Sequence, residues 1–193
     1  KFPRADDSIE TFVRTAAQYT ADPRVSAYAI CYRSKRVTED GVEKEVLDTE
    51  HCHALLEALA DKSTEEMNLL RKAYFYVTFI DEPMPDKFPM VRRCYQEIHD
   101  IKRSIAKAHD FSGRRGVETA LLTMDNVVTT FIKEPIYGEV DAFCPTFWAY
   151  CYPEYRYEAS KLKRLGKKTW WYGCMSPVHP WPNLQTDSAL TDS

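Results

Sequence analysis

Ala73-Tyr74-Phe75-Tyr76-Val77-Thr78-Phe79-Ile80, followed at once by Asp81-Glu82-Pro83, is the stretch whose reading decides the fold. Eight consecutive residues that are nearly all apolar, aromatic or β-branched predict a strand buried on both faces, as parallel sheets require. On its carboxyl side a helix is predicted from about Phe88 to His109, with Val91, Cys94, Tyr95, Ile98, Ile101 and Ile105 on one face. Three further strand-like runs follow at Val117–Leu122, Val140–Phe147 and Lys168–Cys174. A short helix is expected between the first two, and a helix over Glu154–Leu165, stopped by Gly166, between the last two.

On the amino-terminal side, Asp7-Ser8-Ile9-Glu10 reads as a helix start with Asp7 as the cap, and Ile9, Phe12, Val13, Ala16 and Ala17 share one helical face. Asp22-Pro23 ends that pattern, and Ser26 to Tyr32 has strand length. Asp40-Gly41, set among Val37, Val42 and Val46, predicts a hairpin. A second amphipathic helix carries Cys52, Leu55, Leu56 and Leu59. Helix and strand alternate along the chain, which predicts an α/β fold of βαβ units in one domain spanning residues 1–193. Five strands suit either an open doubly wound sheet or part of a (β/α)8 barrel. The whole chain holds only six glycines and no glycine-rich phosphate turn, which argues against a nucleotide-binding sheet. A complete barrel takes about 250 residues, so at 193 the expected barrel is incomplete.

Composition narrows the function classes. A net charge of −3, with 28% charged and 44% hydrophobic residues, gives no field that would draw a nucleic acid or a membrane surface, and neither partner is expected. No apolar run approaches the roughly 18–20 residues of a membrane span. The six cysteines, at positions 31, 52, 94, 144, 151 and 174, form no Cys-x-x-Cys pair; they are expected as free, mostly buried thiols, which leans toward a reducing, cytoplasmic compartment. The chain begins at Lys1, which predicts either a removed leader or a piece of a longer protein.

Three groups of residues could carry chemistry. Asp81 and Glu82 stand at the carboxyl end of the predicted central strand, where barrel enzymes keep catalytic groups; two close carboxylates tend to hold one proton between them. The same tripeptide also suits plain helix entry, with acidic residues and Pro in the first turn. Trp170-Trp171-Tyr172 with the loop His179-Pro180-Trp181-Pro182-Asn183 offers flat aromatic walls, as does Phe147-Trp148-Ala149-Tyr150. Sugars suit such walls because their C–H faces stack on aromatic rings, although core packing explains the same pattern. His51 and His53 lie at a helix start, where positions i and i+2 do not share a face, so no metal is expected.

Taken together and in order, Ala73–Tyr76 with Asp81-Glu82-Pro83, Val140-Asp141-Ala142-Phe143-Cys144-Pro145, and Gly166-Lys167-Lys168-Thr169-Trp170-Trp171-Tyr172-Gly173-Cys174 with Pro177 and Pro182-Asn183 resemble the catalytic domain of glycoside hydrolase family 123, the β-N-acetylgalactosaminidases. The resemblance runs from about Tyr28 onward. It implies a (β/α)8 TIM barrel, short here of its opening strands and of a final strand, and a hydrolase acting on amino-sugar glycans without a cofactor. It further implies a retaining, substrate-assisted mechanism, a known departure from the usual pair of carboxylates. Carried over by position, Asp81 orients the substrate's acetamido group and Glu82 is the general acid and base. Trp148, Tyr150, Trp170, Trp171, Tyr172 and Asn183 are implied to enclose the sugar. The alternatives are a retaining glycosidase for another sugar and a catalytically silent carbohydrate-binding relative.

Overall fold

The computed structural model describes residues 8–30, 33–61, 69–80, 83–108, 138–145 and 152–170, all but Arg71 with their side chains, and residues 121–125 as backbone. The chain enters through α1 (Ile9–Thr20), whose buried side is Phe12, Val13, Ala16 and Thr20. Ser8 caps it, its Oγ accepting from the Thr11 backbone N–H at 3.2 Å. The cap expected one residue earlier, Asp7, lies outside the described residues.

Strand β1 (Ala27–Ile30) leads into the hairpin of β2 (Ser34–Glu39) and β3 (Val42–Leu47), a separate antiparallel sheet. Glu39 pairs with Val42, leaving a two-residue loop in which Asp40 (φ 53°) and Gly41 (φ 75°) both take positive φ. That geometry explains why Asp-Gly sits there: a type I′ turn matches the strand twist and needs two residues that tolerate the left-handed region. Helix α2 (Thr49–Asp61) then buries Cys52, Leu55, Leu56, Leu59 and Ala60, and the single turn α3 (Leu69–Lys72) precedes β4 (Tyr74–Val77). A 3-10 turn at Pro85–Lys87 opens α4 (Phe88–Ala108), whose six predicted apolar positions are all buried. After β5 (Leu121–Asp125) and β6 (Ala142–Phe143) come α5 (Pro153–Arg164) and β7 (Lys168–Thr169). Helix α5 ends as the glycine foretold: Gly166 takes φ 78°, its N–H bonds the Lys163 carbonyl, and the Lys167 N–H bonds the Leu162 carbonyl, both at 3.0 Å. These two bonds make a Schellman cap.

The main sheet has the order β1-β4-β5-β6-β7, every neighbouring pair parallel. The alternation of elements therefore did report parallel pairing. It did not report a barrel. The expected (β/α)8 TIM barrel is corrected here: the described residues form an open five-stranded parallel sheet beside a two-stranded hairpin, and β1 and β7 stand at opposite ends of the order, unpaired with each other. The physical reason is that alternation and an aromatic central strand specify the pairing direction, which open sheets and barrels share. Closure depends on strand number and stagger, which no local pattern carries.

The strand order follows the chain without reversal, and the described helices pack on one side of the sheet. The core agrees. Tyr28, Ile30, Phe75, Val77 and Phe143 point to one face and pack with Phe12, Leu56, Leu59, Val91, Tyr95, Ile98, Tyr155 and Leu162 from the helices. Each such fully buried side chain contributes about 1.5–3 kcal/mol of hydrophobic stabilisation. The opposite face carries Tyr74, Tyr76, Ala142, Cys144 and Trp170 as a second, smaller cluster. Across Ala73–Ile80 the odd positions are buried and the even ones half-buried, so the stretch read as buried on both sides in fact has one closed and one partly open face.

Candidate functional site: an aromatic floor on one face of the sheet

Strand alternation builds this site. Tyr74, Tyr76 and then Thr78 share the side opposite the described helices along β4 and its continuation, Ala142 and Cys144 along β6 and just past it, and Lys168 and Trp170 along β7 and just past it. The backbone holds Trp170 in line: its N–H donates to the Phe143 carbonyl at 2.7 Å, and the Lys168 N–H donates to the Asp141 carbonyl at 2.8 Å. The indole meets Tyr76 edge-on, with ring centroids 5.6 Å apart and planes at 75°, and lies 6.3 Å from Tyr74. Strands β4 and β7 are three positions apart in the sheet, roughly 14 Å at ordinary strand spacing. On β6, beside β7, this face carries only the small side chains Ala142 and Cys144, with which the three rings form one cluster. Lys168 Nζ stands 5.1 Å from the centre of the Tyr74 ring, a cation on the aromatic face at the amino-terminal edge of the sheet.

Apart from the Lys168 ammonium at its edge, the floor carries neutral groups. Burial pushes the Cys144 thiol up to about 11, and burial first, then the neighbouring Cys144, pushes the Tyr76 phenol above its usual range. Both groups are neutral through physiological pH. The Thr78 hydroxyl oxygen is buried without a hydrogen-bond partner among the described residues, at the end of the floor toward which β4 runs. Flat rings with the hydroxyls of Tyr74, Tyr76 and Thr78 are suited to an uncharged ligand with alternating C–H and O–H groups.

The exit of β4 is anchored from the helix side. The Tyr95 hydroxyl of α4 accepts from the Phe79 backbone N–H at 3.3 Å, and Phe79 is itself buried. This bond fixes the chain two residues before Asp81. Pro83 is buried on the far side of the pair.

Of the residues chosen from sequence, Trp170 is the one the structure describes, and it sits in the floor. Asp81, Glu82, Trp148, Tyr150, Trp171, Tyr172 and Asn183 lie outside the described residues. Tyr74 and Tyr76 were read as strand filling and are instead Trp170's partners. The signal that could have found them is period two: the alternate aromatics at 74 and 76 share a side, just as 168 and 170 do. No protein-family model matches the sequence, and none of the curated proteins does.

Proposed function

We propose that the protein is a glycoside hydrolase that removes terminal β-linked N-acetylgalactosamine by a retaining, substrate-assisted mechanism. The observation that carries this reading is the aromatic floor of Tyr74, Tyr76 and Trp170, whose two tyrosines lie on β4, the strand followed in sequence by Asp81 and Glu82. Ligands of parallel α/β sheets bind outside the carboxyl ends of the strands, which is where this sequence puts its adjacent acids. The neutral floor takes the apolar face of the sugar. The carbonyl oxygen of the 2-acetamido group attacks the anomeric carbon as the glycosidic bond breaks, giving an oxazolinium. Asp81 orients that amide and balances its positive charge. Glu82 gives its proton to the leaving oxygen, then takes one from the water that opens the intermediate. No cofactor enters these steps.

The test is turnover of aryl β-N-acetylgalactosaminide, β-N-acetylglucosaminide and β-galactoside by the protein, its Asp81→Asn variant and its Glu82→Gln variant. Cleavage of the first substrate alone is expected, lost with Asp81→Asn. Glu82→Gln should fall about 10²–10⁴-fold on substrates with poor leaving groups and much less on activated ones. Release from the plain galactoside would overturn the acetamido mechanism, because that sugar has no internal nucleophile. Binding of the amino sugar without turnover would replace the hydrolase with a carbohydrate-binding protein.

A further inference from the structure

Helix α4 reaches the approach to β6 with three side chains spaced three apart along one of its faces. Gln96 Nε2 donates to Glu139 Oε1 at 3.2 Å, His99 Nε2 lies 2.8 Å from the Glu139 carbonyl oxygen, and Lys102 Nζ donates to Asp141 Oδ2 at 3.0 Å. Lys102 differs from the other two in depth. It is 3% exposed, the charged residue buried in the core of the described residues. A buried charge is a poor way to stabilise a fold: taking an ammonium out of water is repaid only by a well-placed partner, and an apolar side chain of the same length fills the space without that cost. What the pair supplies is direction. It fixes where the Asp141 carboxylate, and the chain that bears it, stand relative to α4.

From that chain β7 takes its register. The Asp141 carbonyl accepts the Lys168 N–H at 2.8 Å and, two residues on, the Phe143 carbonyl accepts the Trp170 N–H at 2.7 Å. Ala142 thereby stands opposite Lys168, and Phe143 opposite Thr169. The strands' own pattern does not select this pairing. Each ladder is two residues long, and Lys168, Thr169 and Trp170 are all half-buried, so no contrast between a buried and an exposed face favours one register over the next. A slip of one residue would turn Trp170 to the other side of the sheet, away from Tyr74 and Tyr76.

We propose that Lys102 is a positioning residue for the aromatic floor: by holding Asp141 at the start of β6 it sets the register of β7, and so keeps the Trp170 ring on the side of Tyr74 and Tyr76. It acts from the core, through Asp141 and the backbone, and touches no ligand. Its consequence for sugar binding rests on the function proposed above; the placement of the indole does not.

Fluorotryptophan incorporated into the full chain gives each indole a fluorine resonance, and Trp170→Phe assigns that of Trp170. Lys102→Met keeps the apolar stem and removes the ammonium. In this variant the Trp170 resonance should move toward its position in the urea-unfolded chain. In Leu59→Val, a change deep in the α2 side of the core, it should stay at the parent position. An unmoved resonance in folded Lys102→Met, or an equal movement in both variants, overturns the proposal. Should Lys102→Met fail to fold because Asp141 has lost its cation, Lys102→Met/Asp141→Leu leaves neither member of the pair charged, and the same two outcomes decide. The KM for aryl β-N-acetylgalactosaminide should rise roughly two- to tenfold in Lys102→Met at little-changed kcat, since the floor touches the sugar before and during reaction. A moved resonance at unchanged KM keeps the placement and takes the sugar off the floor. A parent that turns over no amino sugar removes the proposed function, and the resonance still decides the placement.

Discussion

Trp170 joins the aromatic floor through its ring alone, and its energetics are separable from the fold. It is half-buried, its ring meets Tyr76 edge-on and Tyr74 at a tilt, and its backbone bond to Phe143 does not depend on the side chain. Aromatic pairs of this kind are worth about 0.5–1.5 kcal/mol beyond their buried area. Trp170→Ala should therefore leave a folded protein, while removing one ring of the floor. If the floor receives a sugar, affinity for N-acetylgalactosamine drops by roughly two- to tenfold, the same energy expressed as a ratio. Isothermal titration beside a melting curve reads both; an unchanged affinity in a folded variant means that the sugar does not lie on this floor. The neutrality of Cys144 and Tyr76 bears on the same experiment, since neither contributes a charge that would make the affinity salt-dependent.

The bond from α4 to the exit of β4 belongs to the scale of elements. Tyr95 is 1% exposed and its hydroxyl accepts the N–H of Phe79, so Tyr95→Phe leaves a buried donor without that acceptor. The expected cost is about 1–3 kcal/mol, seen as a lower urea midpoint at unchanged slope. A midpoint equal to the parent's would show that the strand exit is held by its neighbours instead. Elements were the most legible level of this sequence, because their signals are local. Asp40-Gly41 names its own turn type, Gly166 its own helix cap, and the apolar positions of α4 recur at helical spacing from Val91 to Ile105. The strand pairings were less legible. Ala73–Ile80 reads as eight strand residues, yet only Tyr74–Val77 enter the ladder, since its length depends on what the neighbouring strands offer. The site was least legible of all: Trp170 stood out by its residue type, but Tyr74 and Tyr76 are recognisable as its partners only once the strand order is known.

At the scale of the whole molecule, the described helices share one side of the sheet, and their common core is what unfolding must break. Cys52 and Cys94 lie in that core, Cys144 on the opposite face, and burial pushes their thiols up to about 12, 12 and 11. Since the thiolate is the reactive form, none of the three should be alkylated at neutral pH until the fold opens. Mass-spectrometric mapping of iodoacetamide labelling across a urea gradient should show Cys52 and Cys94 becoming reactive together, at the global transition; labelling of either in the absence of urea would contradict a closed core. The barrel expectation failed at this same scale. Each local feature was compatible with closure, but the described residues supply five parallel strands whose order ends at two edges. The order itself has a consequence for how the protein is made. Strands join the sheet in the sequence in which a ribosome releases them, each new one docking on the edge left by the last. Once β4 has joined β1, each later strand of the described sheet meets a partner the ribosome has already released, and the aromatic floor is completed only when Trp170 emerges.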